Sequence, residues 1–153
     1  MNQNRRDLMR ITTVLGLAIT AGLIKPTDAF SAEWKEDVFK AKTKDDVVKA
    51  LGGGKIEISS DIAITAPEIA ENGAVVPVAV TSKVPKTEWI AILVEKNPYT
   101  MAASFTIPEG TEADIKTRVK MQSTTNVHAL VKANGKWLIA TKEVKVTLGG
   151  CGG

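Results

Sequence analysis

Val131-Lys132-Ala133-Asn134-Gly135-Lys136-Trp137-Leu138-Ile139 sets an Asn-Gly pair between two apolar stretches. At a two-residue connection, Asn-Gly favours the positive φ angles of a type I′ turn, whose twist matches that of the flanking strands. This is the strongest hairpin signal in the chain. It predicts a strand over Asn126 to Ala133 and another beginning at Trp137-Leu138-Ile139.

Toward the C-terminus, Val144, Val146 and Leu148 alternate with other residues, as in a half-buried strand. Directly after them comes Gly149-Gly150-Cys151-Gly152-Gly153, with the only cysteine of the chain between two pairs of glycines. Glycine loses the most conformational freedom on ordering, so the pattern predicts a mobile arm mounted on a rigid strand. Fully extended, the chain from Leu148 to Cys151 spans about 10 Å. That is enough to carry a sulfur into a narrow pocket of another protein.

Toward the N-terminus, strands are predicted at Ile115 to Met121, Ala102 to Ile107 and Trp89 to Val94. The last of these is a continuous apolar run, expected of a central strand, and Lys96-Asn97-Pro98 follows it. Earlier still, period-two alternation appears at Val76, Val78 and Val80, at Ile62 and Ile64, and at Ile56 and Ile58. Pro67-Glu68-Ile69-Ala70-Glu71-Asn72-Gly73 reads as a loop closed by a second Asn-Gly turn. Glu33 to Leu51 reads as one or two short helices, with Thr43-Lys44-Asp45-Asp46 as a capping box and Gly52-Gly53-Gly54 as the stop. No Lys-Ser/Thr follows these glycines in Walker spacing, so they are not read as a phosphate cradle. About nine short strands with turn signals every 8–12 residues predict an all-β fold, an immunoglobulin-like antiparallel β-sandwich. A short helical segment precedes it and a flexible tail follows.

The composition fits one domain behind an export segment. Hydrophobic residues are 44% of 153 and aromatics only 5%, a balance that favours β-branched strands over helices. The formal charge of +3 falls by two when the four basic and two acidic residues of the first 29 positions are set aside. The nearly neutral remainder offers no electrostatic basis for nucleic-acid binding. Residues 1–32 read as an export signal, with an apolar run from Ile11 to Ile24 behind Asn4-Arg5-Arg6-Asp7-Leu8-Met9-Arg10. The paired arginines are similar to the twin-arginine signal. Cleavage after Ala29 or after Ser31 fits, and the apolar run is short for a membrane span, so no membrane attachment is expected of the mature form. Twin-arginine export carries folded proteins, and the absence of any cofactor motif points to a protein partner acquired before export. The resulting division is 1–32 signal, 33–148 helical lead-in and sandwich, 149–153 arm.

Catalytic and metal-binding residues are scarce. His128 is the only histidine and falls in mid-strand, where a structural or surface role is expected; one Cys and one His make no metal site. Glu68 and Glu71 are read as solvated loop acids. An unperturbed thiol of pKa about 8.5 is only a few per cent thiolate at pH 7. Nothing in the sequence places a base beside Cys151. A self-sufficient cysteine enzyme needs such activation, whereas a carrier loaded by other enzymes does not. No cofactor is therefore expected, and Cys151 is the expected point of covalent attachment.

Four stretches carry a family resemblance: Ala66 to Val78, the Lys96-Asn97-Pro98 step, Arg118-Val119-Lys120-Met121, and the ending Val144 to Gly153. Together they resemble the SoxY family, sulfur-carrier subunits of the periplasmic thiosulfate-oxidising Sox system. The resemblance implies that Cys151 holds thiosulfate-derived intermediates while Gly149, Gly150, Gly152 and Gly153 form the arm. It further implies an immunoglobulin-like sandwich, a heterodimer with a SoxZ-like subunit and a periplasmic location. Three transient partners are implied: a haem c-type thiosulfate-conjugating enzyme, a sulfate-releasing hydrolase and a sulfane dehydrogenase. Tyr99-Thr100-Met101 departs from the second Asn-Pro or polar turn expected after Asn97-Pro98. Two other readings compete: a structural or adhesive sandwich dimerising through Cys151, and a sulfur carrier loaded on its C-terminal carboxylate.

Overall fold

The computed structural model describes residues 36–148. The expected signal, residues 1–32, and the expected arm, Gly149, Gly150, Cys151, Gly152 and Gly153, lie outside the described residues. Those described belong to one unit, Lys35–Gly153. Two short helices, α1 (Glu36–Lys40) and α2 (Lys44–Ala50), precede nine strands: β1 (Ile56–Ile58), β2 (Ile62–Thr65), β3 (Ile69–Asn72), β4 (Val76–Ser82), β5 (Thr87–Val94), β6 (Met101–Thr106), β7 (Asp114–Val119), β8 (Thr125–Ala133) and β9 (Lys136–Leu148).

Two sheets form the sandwich. The larger runs in the order β1-β9-β8-β5-β6, with β3 also against β9; the smaller is β2-β4-β7. The predicted hairpin is present, with Ala133 opposite Lys136 and positive φ at Asn134 (50°) and Gly135 (72°), as a type I′ turn requires.

Side-chain alternation explains the continuous apolar runs. On β5, Ile90, Ile92 and Val94 face the inter-sheet core with Val76, Val78 and Val80 of β4 and Val127, Ala129 and Val131 of β8. Ala91 and Leu93 point the other way, joining Leu130, Trp137 and Ile139 beneath Val38, Val47 and Val48 of the helices. Central strands β5 and β8 are thus covered on both faces, and an apolar residue is needed at nearly every position. The helices form a partial third layer. Their cap is as expected: the Asp46 amide donates to Thr43 Oγ1 at 3.1 Å. Of the three glycines, Gly52 and Gly53 close the end of α2, donating to the Lys49 and Val48 carbonyls at 3.2 and 2.8 Å, and Gly54 serves packing. Gly54 has φ +138°, and a Cβ there would lie 2.7 Å from Trp137 Cδ1. The Trp137 indole N–H donates to the Gly53 carbonyl at 3.1 Å.

Two local expectations need correction. Residues 67–73 are not wholly a loop, because Ile69–Asn72 is a strand parallel to β9, with Ala70 opposite Val146 and Asn72 opposite Leu148. β1 also runs parallel to β9, so the sandwich is antiparallel except along this one edge. Parallel partners lie far apart in sequence and leave no turn signal between them, which hides the pairing from a local reading. The second correction is that Trp137-Leu138-Ile139 and Val144 to Leu148 are one strand of 13 residues.

Candidate functional site

β9 is the last described strand and ends at Leu148, three residues before Cys151 in sequence. β8 accompanies β9 only as far as Thr125 opposite Val144, so the last four residues need other partners. β3 supplies one side, with the Lys145 amide donating to the Glu68 carbonyl at 2.9 Å and Thr147 Oγ1 donating to the Glu71 carbonyl at 3.0 Å. On the other side, Thr124 Oγ1 accepts the Val146 amide at 2.9 Å. The final carbonyl, that of Leu148, accepts the Gly73 amide at 2.7 Å, and the Gly73 carbonyl accepts the Met121 amide at 2.7 Å. A strand freed of its sheet neighbour would otherwise expose its ladder groups; beside β3, the Lys145 and Val146 amides and the Leu148 carbonyl are tied to the loop residues Glu68, Thr124 and Gly73.

Those loops are tied to one another. Lys96 Nζ donates to the Thr124 carbonyl at 3.1 Å. Asn97 uses both ends of its amide, donating to the Lys120 carbonyl at 2.7 Å and accepting the Gln122 amide at 3.1 Å. Asn72 Oδ1 accepts the Ala74 amide at 2.8 Å, closing the turn after β3. The Asn97-Pro98 step and the Asn72-Gly73 pair are therefore parts of the mount for β9. Thr124 had no sequence signal, because its work is done by a hydroxyl on backbone groups remote in the chain.

His128 belongs elsewhere. It lies on the helix-facing side of β8, opposite Thr141, and is 5% exposed. Its Nδ1 lies 2.8 Å from Thr141 Oγ1 and its Nε2 lies 3.7 Å from Glu95 Oε2. Burial lowers its pKa below 6.5; Glu95 opposes that shift and Lys44 adds to it. Thr141 is seven residues before Leu148, about 23 Å along a strand at 3.2–3.4 Å per residue. A thiol within about 10 Å of Leu148 is out of the reach of this imidazole. His128 has a structural role, as read from its mid-strand position.

Glu68 and Glu71 lend backbone carbonyls to β9 while their side chains face solvent. Among the described residues, no group of three or more His, Cys, Asp or Glu could hold a metal ion. No helix among them is long and apolar enough to cross a membrane. At Tyr99-Thr100-Met101 the Thr100 amide donates to the Ala41 carbonyl at 3.1 Å and its hydroxyl to the Lys42 carbonyl. The unusual residues there anchor the helical layer.

The strand end thus presents whatever follows Leu148, and comparison with known proteins bears on what that is. A family model described as "Sulfur oxidation protein SoxY" matches residues 47–151. The chain belongs to the SoxY family. The matched stretch ends at Cys151. Among solved structures, the sulfur carrier protein SoxY from Chlorobium limicola f thiosulfatophilum is 39% identical, with a TM-score of 0.64, covering 70% of this chain and 97% of that one. A superoxide reductase (neelaredoxin) from Ignicoccus hospitalis is 23% identical, with a TM-score of 0.49, over 56% of this chain and 79% of that one. That second likeness is too loose to bear on function. No curated protein matches.

Proposed function

We propose that this SoxY-family protein is a periplasmic sulfur carrier, holding thiosulfate-derived intermediates on Cys151 and presenting them to separate enzymes. The observation that carries the reading is the family match extending to Cys151, three residues beyond a strand end tied on both sides.

Loading joins the thiol to the sulfane sulfur of thiosulfate: RSH and S2O3²⁻ give RS–S–SO3⁻, one proton and two electrons. The electrons pass to the haem c-type conjugating enzyme. In the next step water attacks the sulfonate, the S–S bond to it breaks, and sulfate, two protons and the persulfide RS–S⁻ result. Each step takes its activation from the visiting enzyme, in keeping with the distance between His128 and the strand end. Tethering turns a series of bimolecular encounters with a reactive species into dockings of one carrier. The N-terminal twin-arginine pattern favours export in the folded state together with a SoxZ-like subunit.

The test is reconstitution of thiosulfate-dependent electron transfer with Cys151→Ser. Complete loss is expected, with the wild-type peptide containing Cys151 gaining the mass of bound thiosulfate. Activity retained by Cys151→Ser contradicts the reading.

A further inference from the structure

From Leu148 to Cys151 the chain spans at most about 10 Å. An enzyme that draws Cys151 into its active site must therefore press its opening against the surface around Leu148, and that surface has a distinctive charge. β7 is an edge strand whose burial alternates, with Lys116 and Arg118 outward. Lys120 follows, exposed, and the next residue is Met121, whose amide holds the Gly73 carbonyl beside Leu148. Lys96 joins through Thr124, the residue that pins Val146, and its neighbour Asn97 bonds the Lys120 carbonyl. Four cations thus run from the outer face of the smaller sheet to the foot of the arm. The acids nearby are Asp114, 3.6 Å from Lys116, Glu95, exposed beside Lys96, and Glu68 and Glu71, exposed just before and within β3.

Apolar surface lies within this basic frame. Val75 and Leu148 are 55% and 64% exposed, at the turn and the strand end joined by the Gly73–Leu148 bond. Pro77 stands opposite Arg118 and Ala79 opposite Lys116. With Ala66 and Pro67 they line an open cleft of about 540 Å³. An apolar centre with a charged rim is the usual anatomy of a protein interface, and a row of cations in that rim favours a partner of the opposite charge.

We propose that Lys116, Arg118 and Lys120, with Lys96, form the docking surface for the enzymes that act on Cys151, and that those enzymes ring their active-site opening with carboxylates. This rests on the carrier reading. A short arm gives each enzyme the same neighbouring surface, so one basic frame serves several visitors. Its main effect is on the rate of encounter.

The test uses the mature protein with its partner subunit as the substrate of the thiosulfate-conjugating enzyme. Lys116→Glu/Arg118→Glu/Lys120→Glu is compared with wild type at about 20 mM and about 300 mM NaCl, where screening differs strongly. At low salt, kcat/KM is expected to fall on the order of tenfold or more, through KM, since steering contributes about 10–10³ to on-rates. Wild type is expected to lose most of this advantage at high salt, and the corresponding glutamine triple variant to fall between the two. Alkylation of Cys151 by iodoacetamide should proceed at one rate in all three. Unchanged kcat/KM in the charge-reversed and glutamine variants, or a salt-insensitive wild type, overturns the proposal. So does a loss that tracks release of the SoxZ-like subunit, which would assign the surface to that subunit. Cys151→Ser is run beside them: if it is still conjugated, the carrier reading fails, whatever the charge variants show.

Discussion

Replacing Thr124 by Val tests the hold on the end of β9 directly. The hydroxyl at this position accepts the Val146 amide at 2.9 Å and lies 3.4 Å from the Val146 carbonyl. Valine keeps the shape and removes the acceptor. A neutral hydrogen bond contributes about 1 kcal/mol net, and a stranded buried donor costs about 1–3 kcal/mol. Val146 is half-buried and water can recover part of the loss, so the end of β9 should be destabilised by about 1–2 kcal/mol, a factor of about 5–30 in its opening equilibrium. Amide hydrogen exchange reads this residue by residue. The Val146 amide should exchange about 5–30 times faster in the variant. The Leu130 amide, in the middle of β8, should change by no more than the global loss measured by urea unfolding. A Val146 amide exchanging at the wild-type rate would refute the claim that Thr124 holds the strand end.

Gly54→Ala should lower stability by about 1–3 kcal/mol through strain and overpacking, because the new methyl meets Trp137 at a positive φ; thermal unfolding checks it, with Gly110→Ala, positive φ but open space, as the milder comparison. Burial lowers the folded-state pKa of His128 below 6.5, so the unfolded chain binds the extra proton first. Its contribution is present above pH 6.5 and is lost as pH falls through that value toward the lower folded pKa; urea midpoints should drop over this window in wild type and lack that component in His128→Gln. Gly135→Ala should cost about 1–2 kcal/mol by placing a Cβ in the left-handed region, measurable as a lower urea midpoint with an unchanged slope.

Local chemistry made much of this legible in advance. Asn134-Gly135 encodes its turn through two positive φ angles, and the capping box of α2 lies within four consecutive residues. The apolar run of β5 reflects burial on both faces. The parallel edge was hidden because β3 has one buried residue, Ala70, and pairs with a strand more than 70 positions away. The continuity of β9 was hidden by Thr141 to Glu143, whose polarity reads as a break although Val127 and His128 pair straight across. For the proposed site, Cys151 stands out in the sequence as a lone thiol among glycines and lies outside the described residues. The hold on the end of β9 does not stand out, since Gly73, Met121 and Thr124 exert it through backbone groups and one hydroxyl.

A sulfur carrier is defined by what its thiol holds in the native protein. Peptide mapping by mass spectrometry of protein isolated from thiosulfate-grown cells should find sulfane and thiosulfonate adducts on Cys151 that a thiol reductant removes. A Cys151 that is unmodified, or found only in a disulfide between two copies of this chain, would contradict the carrier reading.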